Sequence, residues 1–270
     1  MLARLREQFP RLGHVVETEP IARRLRRVRI AGDALRDLPY LPGQQLRIRL
    51  TPTIFMRDSL RTYSVWRYDP AQGVFDLCIL LHGDGPRTRW AAAVRVGDPV
   101  TFWGPRGRFV LEPAAPYHVF AGEETGAVAI QAMIRALPPS ARIYCRLEAD
   151  TPADELPARA RNGIDLRWVH RGGRPAGPES GLVDAVTRLE LPGVPGAAYF
   201  AGEAADLRRP PTPLHRRARL AAARGPRQAV LGSEAEGTRA SAVRERAAPT
   251  RRSRPRSRAR RGSAPSPCPA

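Results

Sequence analysis

The stretch Arg61-Thr62-Tyr63-Ser64, followed about twenty residues later by His82-Gly83-Asp84-Gly85-Pro86-Arg87-Thr88-Arg89-Trp90, decides the reading of this chain. If the first four residues form a strand, Arg61 and Tyr63 share one of its faces. An arginine can then fork onto phosphate oxygens, an aromatic ring can stack on a flat ligand, and a small hydroxyl can meet a ring nitrogen. The second stretch reads as a glycine-rich turn opening a helix, which offers backbone N–H groups and a positive dipole end to a pyrophosphate. Together the two suit a flavin dinucleotide. Either alone is ordinary, because Arg-x-Tyr-Ser falls on many amphipathic strands and Gly-Asp-Gly-Pro is common turn punctuation. Their order, their spacing and the later turn Gly104-Pro105-Arg106-Gly107 join them.

Working outward, runs rich in Val, Ile, Leu and aromatics recur near residues 14–16, 25–30, 45–50, 61–67, 75–81 and 99–103, divided by Gly and Pro. This is the pattern of an all-β domain, and a small antiparallel barrel is its natural form because closure removes exposed strand edges. One helical segment, residues 87–94, interrupts it. Beyond residue 113 the pattern changes: strands near 117–121, 142–148, 165–169 and 198–201 alternate with helices near 126–137 and 182–189. Such alternation indicates a parallel sheet covered on both faces. The expected organisation is a barrel over residues 1–113, an incomplete α/β domain over 114–206 and a tail over 207–270.

The tail contains no Phe, Tyr, Trp or Ile and is dominated by Arg, Ala, Pro and Ser. It cannot bury enough apolar surface to offset its ordering entropy, so disorder is expected. It also explains the charge. A net +19 points first to nucleic acid or an anionic membrane, but 17 arginines and 3 acids fall in residues 207–270, leaving only +5 for the rest. All 45 basic residues are arginine, which indicates a biased base composition in the gene rather than selection for one side chain.

Other classes fall away on composition. Cys78, Cys145 and Cys268 form no C-x-x-C pair, and the first two sit in apolar runs, so neither a disulfide framework nor a zinc site is expected. No run approaches the roughly 18 apolar residues of a membrane span, and residues 1–10 lack the apolar stretch of a secretory leader; the cytoplasm is the expected address.

The joint pattern resembles the FAD-binding barrel of the ferredoxin-NADP reductase superfamily, and within it the siderophore-interacting protein family. That family has Arg-x-Tyr-Ser/Thr and a His-Gly-x-Gly-Pro stretch ending in Trp-Ala, matched by Trp90-Ala91. The resemblance runs from about residue 12 to residue 206, through Pro42-Gly43-Gln44, Gly122-Glu123-Glu124-Thr125, Trp168-Val169-His170-Arg171-Gly172-Gly173 and Ala201-Gly202-Glu203-Ala204. It implies that Arg61, Tyr63 and Ser64, with Thr62 between them, hold the flavin ring and phosphates. It implies that His82, Gly83, Gly85, Pro86, Thr88 and Trp90 shape the pyrophosphate site, and that Glu124, Thr125, Gly202 and Glu203 lie toward the electron donor. The implied cofactor is FAD, the donor NAD(P)H or ferredoxin, and the acceptor a ferric siderophore, a small anionic iron chelate. The cofactor carries the chemistry, so no side chain is assigned as catalytic. Arg57, Arg67 and Arg106 are candidates for attracting the chelate.

Plainer readings stand beside these. His82 serves equally as a turn residue, Trp90 as packing, Glu124-Thr125 as a cap for the helix near Gly126, and Glu203 as a solvated side chain. Cys78 and Cys145 read as buried filler, and the strand with Trp168 and His170 as core and edge.

The resemblance breaks after Ala204. The family continues with a helix, a strand and an aromatic closing segment, whereas here Leu207-Arg208-Arg209 gives way to Pro210-Pro211, which stops a helix. A shifted reading frame near codons 205–212 is one explanation. A genuine basic arm is the other, with Arg251-Arg252-Ser253-Arg254-Pro255-Arg256 supplying phosphate contacts to nucleic acid but no aromatic to stack bases. The expected activity is that of an FAD-dependent ferric-siderophore reductase. The alternatives are a general flavin oxidoreductase with another acceptor, or a non-enzymatic truncated or basic-tailed binding protein.

Overall fold

The computed structural model describes residues 9–50, 60–158, 162–176, 180–202, 218–224 and 229–231. Strands β1 (Arg11–Ala22), β2 (Leu25–Ala31), β3 (Gln45–Arg49), β4 (Leu60–Asp69), β5 (Val74–Leu80) and β6 (Pro99–Arg106) close into a barrel in the order β1-β2-β5-β4-β3-β6. Every pairing in it is antiparallel. In β2 Val28 and Ile30 face the barrel core and alternate with Arg27 and Arg29, whereas Leu25, on the face of the arginines, is buried in the separate cluster formed with a helix and the sheet of the second half. The β1 strand reaches well past the apolar run at 14–16. Its extension is carried by charge: Glu17 opposes Arg29 and Glu19 opposes Arg27 across the ladder, with ion pairs at 3.0 and 3.1 Å. Cross-strand pairs of this kind contribute roughly 0.2–1 kcal/mol each, a signal that hydrophobic patterning does not register.

Between β5 and β6 the helix α1 (Pro86–Ala93) begins at Gly85 with a proline in its first turn. It buries Ala91, with Val94 just beyond it, in the barrel core. Pro is favoured there because its missing N–H would have no partner in the first turn.

The second half runs β7 (His118–Gly122), α2 (Glu124–Ala136), β8 (Ile143–Ala149), β9 (Ile164–His170), α3 (Leu182–Thr187), β10 (Gly196–Gly202), β11 (Ala218–Arg224) and β12 (Ala229–Leu231). The sheet order is β12-β11-β10-β7-β8-β9. All neighbours are parallel except β12, which is antiparallel to β11. Strand β7 is buried throughout, as parallel strands covered on both faces are. One face packs Phe120, Cys145, Leu147 and Tyr199 against Ile130 and Met133 of α2. The other packs Val119, Ala121 and Phe200 against Leu182 and Val186 of α3. From β7 the sheet grows toward β8 and β9 on one side and toward β10 on the other. The crevice between the ends of β7 and β10 is therefore the topological switch point, where ligands bind in open α/β sheets.

The structure moves one expected boundary. The sequence reading ended the α/β domain at residue 206, but β11 pairs with β10 from Gly196↔Ala218 to Gly202↔Arg224, and β12 pairs with β11. The sheet thus extends past the expected end. Strand β11 reads Ala-Arg-Leu-Ala-Ala-Ala-Arg, with no β-branched or aromatic residue to announce it. The remainder of the tail lies outside the described residues. No helix among the described residues is long and apolar enough to cross a membrane.

Candidate functional site

A cleft of about 370 Å³ separates β4 of the barrel from the sheet crevice. Its barrel wall comprises Gln45 and Arg47 of β3, Arg61, Thr62, Tyr63 and Ser64 of β4, Cys78, Ile79 and Leu80 of β5, and Arg87 of α1. The facing wall is the first two turns of α2, Glu124, Thr125, Gly126, Val128 and Ala129, with Ala201 and Gly202 at the end of β10. The β3–β4 ladder sets Gln45 opposite Ser64 and Arg47 opposite Thr62. Directly opposed residues of a ladder share a face, so these four polar side chains form one patch.

Tyr63 is the residue whose surroundings point most directly to a ligand. It is 6% exposed, with its ring 6.3 Å from Trp90 and the Arg87 guanidinium 5.6 Å above it. Its hydroxyl has no hydrogen-bond partner among the described residues. Burial pushes the phenol pKa up, against smaller opposing pulls from Arg87 and Arg61, so at neutral pH it is a neutral donor. Leaving such a group buried and unpaired costs roughly 1–3 kcal/mol, which a ligand atom would recover. Arg61 donates to its neighbour's carbonyl on Leu60 at 2.9 Å. Cys78 lines the same wall, and burial raises its thiol pKa well above the usual value, so it stays an inert S–H.

The sheet side is built on close approach. A Cβ at Gly126 would lie 1.9 Å from the carbonyl oxygen of Ala201, so only glycine lets α2 sit this near β10. Gly202 has φ +148°, and a Cβ there would meet the Glu123 carboxylate at 2.6 Å. Glu123, not the Glu124-Thr125 pair, caps α2: it accepts from Thr125 N at 2.9 Å and from the Thr125 hydroxyl. Glu124 is 3% exposed and saturated. Arg24 binds it at 2.8 Å, Arg171 at 2.7 and 2.8 Å, and the Asp150 N–H donates to it at 3.0 Å. Arg171 also binds Glu148 at 2.9 Å, and Arg23 and Arg24 bind Asp154 at 2.6 and 2.9 Å. This buried cluster ties the β1–β2 turn of the barrel to the ends of β8 and β9.

The structure therefore brings together Arg61, Thr62, Tyr63 and Ser64 with Glu124, Thr125 and Gly202. It does not bring His82, Gly83, Gly85, Pro86, Thr88 or Trp90 into the cleft wall. The turn from His82 to Pro86 is exposed, the Thr88 hydroxyl donates to the His82 carbonyl at 2.9 Å, and nothing lies within 4 Å of a Cβ placed on Gly83 or Gly85. Trp90 packs on Tyr63 instead. Glu203 and Arg57 fall outside the described residues. Arg67 stacks on Trp66, and neither it nor Arg106 lines this cleft. The arginines that do are Arg47, Arg61 and Arg87. The sequence reading missed Gln45, Arg47 and Arg87 as site residues. The available signal for Arg87 was its place one residue after Pro86; Arg47 depends on strand register, which is non-local.

Two family models match the two halves of this structure. The siderophore-interacting FAD-binding domain matches residues 55–109, and the siderophore-interacting protein model matches residues 115–225. The chain belongs to the siderophore-interacting protein family. The second match runs to residue 225 and so includes the residues of β11. An uncharacterised protein of Mycobacterium tuberculosis is 37% identical over 146 residues, 51% of this chain and 52% of that protein, so the chain spans about half the length of this relative. Ferric vibriobactin reductase of Vibrio cholerae is 28% identical over 72% of this chain and 79% of its own. Among solved structures, a siderophore utilization protein from T. fusca covers 83% of this chain and 95% of its own at 25% identity, with TM-score 0.68. The siderophore-interacting protein SipS of Aeromonas hydrophila covers 79% and 90% at 27% identity, with TM-score 0.66.

Proposed function

We propose that this family member binds FAD in the β4 cleft and is a reductase whose acceptor is iron(III) in an anionic siderophore, with NAD(P)H or ferredoxin as donor. The observation that carries the reading is the cleft itself, where the Arg61-Thr62-Tyr63-Ser64 strand faces the switch-point crevice across a buried hydroxyl that awaits a partner. The residues present suit a flavin: Tyr63 offers a neutral donor beside Ser64 and Thr62, and Arg47, Arg61 and Arg87 give the wall the positive charge a pyrophosphate needs. When bound, the flavin supplies the redox chemistry, accepting electrons from the donor and passing them singly to iron(III).

The protein's part is placement and electrostatics. Arg24 and Arg171 neutralise Glu124, so the carboxylate nearest the cleft does not repel an anion. Gly126 and Gly202 keep the sheet wall thin, which lets a donor approach the barrel face closely. The arginine-lined wall favours an anionic iron chelate over a neutral one. Reduction to iron(II) weakens binding by hard oxygen ligands and releases the metal, in the cytoplasm on this reading.

The test is to add FAD to the purified chain, remove the excess, and record the visible spectrum. A retained flavin that a ferric chelate reoxidises faster than ordinary acceptors supports the proposal. Retention with no preference for iron chelates would leave a flavin oxidoreductase of another acceptor, and no retention would sink the reading.

A further inference from the structure

A second cleft, of about 530 Å³, opens at the other end of α2. Where the flavin cleft uses α2 from Glu124 to Ala129, this one uses Ala132 to Ala136. Its walls include Tyr40 and Pro42 ahead of β3, Trp66, Arg67 and Tyr68 at the far end of β4, and Arg135 of α2. The β4–β5 register shifts between Val65 and Arg67. Such a bulge breaks the alternation of faces and re-aims side chains, and bulges concentrate beside functional sites. Here Val65 and Trp66 are both buried although adjacent, and Arg67 lies across the Trp66 ring with its guanidinium carbon 4.2 Å from the centroid.

The charges and donors around this point are unequally committed. Arg29 is bound to Asp76 at 2.7 and 3.1 Å, and Asp69 accepts from Gln72 N at 3.1 Å. Arg135 donates to the Trp66 carbonyl at 3.0 Å, and the indole N–H donates to Gln131 at 3.0 Å. Arg67 alone of these makes no hydrogen bond or ion pair among the described residues. A guanidinium stacked by its face keeps its N–H edge for a pair of coplanar oxygens. Beside it, the Tyr40 and Tyr68 rings meet edge to face at 5.5 Å. The Tyr40 hydroxyl already donates to the Val65 carbonyl at 3.3 Å and the Tyr68 hydroxyl to the Leu35 carbonyl, with the Leu38 carbonyl also near, so what they offer a ligand is ring surface.

We propose that this cleft is a second ligand site that takes a planar aromatic carboxylate, with Arg67 forking onto the carboxylate while Tyr40, Tyr68 and Pro42 contact the ring. Both features are needed: the single uncommitted guanidinium selects the anion, and the aromatic and proline walls select a flat apolar body. The inference is independent of the flavin reading, since it uses none of the residues lining the first cleft.

The test titrates benzoate into the full chain without flavin, followed by tryptophan fluorescence and calorimetry, with acetate and benzyl alcohol as comparators. Benzoate is expected to bind at least about tenfold more tightly than either comparator. Arg67→Gln is expected to weaken it about tenfold or more, as loss of a charge-assisted hydrogen-bond pair does, and Arg67→Lys to lose part of that. Saturating FAD is expected to leave the benzoate affinity unchanged. The proposal is overturned if benzoate does not bind, if acetate binds as well, if FAD displaces it, or if Arg67→Gln has no effect. Should Arg67→Gln lower the melting midpoint, Arg67→Lys, which keeps stem and charge, carries the same test. Failure of the chain to take up FAD would sink the flavin reading and leave this titration untouched.

Discussion

The two walls of the flavin cleft treat their polar groups in opposite ways. On the sheet wall every carboxylate near the cleft among the described residues is already answered: Glu123 by the helix it caps, Glu124 by Arg24, Arg171 and a backbone N–H. On the barrel wall Tyr63 keeps a buried hydroxyl with no partner among the described residues. A saturated wall is structure that happens to face a ligand, whereas an unsatisfied one is a site. The sequence already offered Glu124-Thr125 a plain capping role, and three-dimensional partnering is what separates the two walls.

This contrast breaks most readily at Glu124. Removing Glu124 leaves Arg24 with the carboxylates of Asp154 and Asp150 and Arg171 with that of Glu148, and costs about 3 kcal/mol, the lower end of what breaking a buried pair costs. Glu124→Ala is expected to lose that much in urea denaturation, while any protein that remains folded keeps its flavin affinity within a few fold. An unchanged midpoint with a large loss of flavin would place Glu124 among the ligand contacts and erase the contrast. Arg61→Ala is expected to show the reverse. Loss of a charge-assisted contact to phosphate weakens flavin binding by roughly 2–3 kcal/mol, or about 30- to 150-fold, while stability moves by less than about 1 kcal/mol. Equilibrium dialysis with FAD and a parallel melt separate the two.

Among the described residues, the sheet has one buried polar side chain of its own without a partner. His118 is 1% exposed, its ring nitrogens are unbonded among the described residues, and it stacks near Phe120 and Tyr199 at 6.2 and 6.1 Å. Burial lowers its pKa, against a weaker opposing attraction from Glu112. The unfolded chain therefore takes up a proton that the folded chain refuses. His118 imposes no penalty above the unfolded value of about 6.5, and the fold weakens as pH falls below it, by at most about 1.4 kcal/mol per pH unit. His118→Phe is expected to flatten the stability profile below about pH 6.5. His118 lines neither cleft, so flavin affinity is expected to be the same in this variant, which sharpens the difference between an unpaired group at a site and one in a core.

What the sequence made legible follows from locality. The Arg61-Thr62-Tyr63-Ser64 strand was readable because alternation along four residues fixes which side chains share a face. The barrel and the βα alternation were readable because each run announces itself by its own period. Arg47 was hidden because its place beside Thr62 depends on pairing with a strand elsewhere in the chain. Gly83 and Gly85 stand in an exposed turn, and a glycine-rich helix start looks the same in sequence whether it faces a ligand or open solvent. Strand β11 was silent because alanine carries little strand preference, and its place in the sheet comes from the exposed edge of β10 rather than from its own residues.

The smallest expected effect tests the comparison most directly. Tyr63→Phe removes one oxygen from a packed ring and leaves the contacts with Trp90 and Arg87 in place. If the hydroxyl were an ordinary structural donor, its loss would cost stability by roughly 0.5–1.5 kcal/mol. Because it is buried without a partner, its removal is expected to leave the flavin-free chain as stable as before or slightly more so. The FAD complex, where the hydroxyl gains an acceptor, is expected to weaken by about 1 kcal/mol, roughly fivefold in affinity. Melting with and without FAD reads both numbers from one pair of proteins. A lower midpoint in the flavin-free variant would mean that the hydroxyl has an internal partner after all, and the barrel wall would then be as self-satisfied as the sheet.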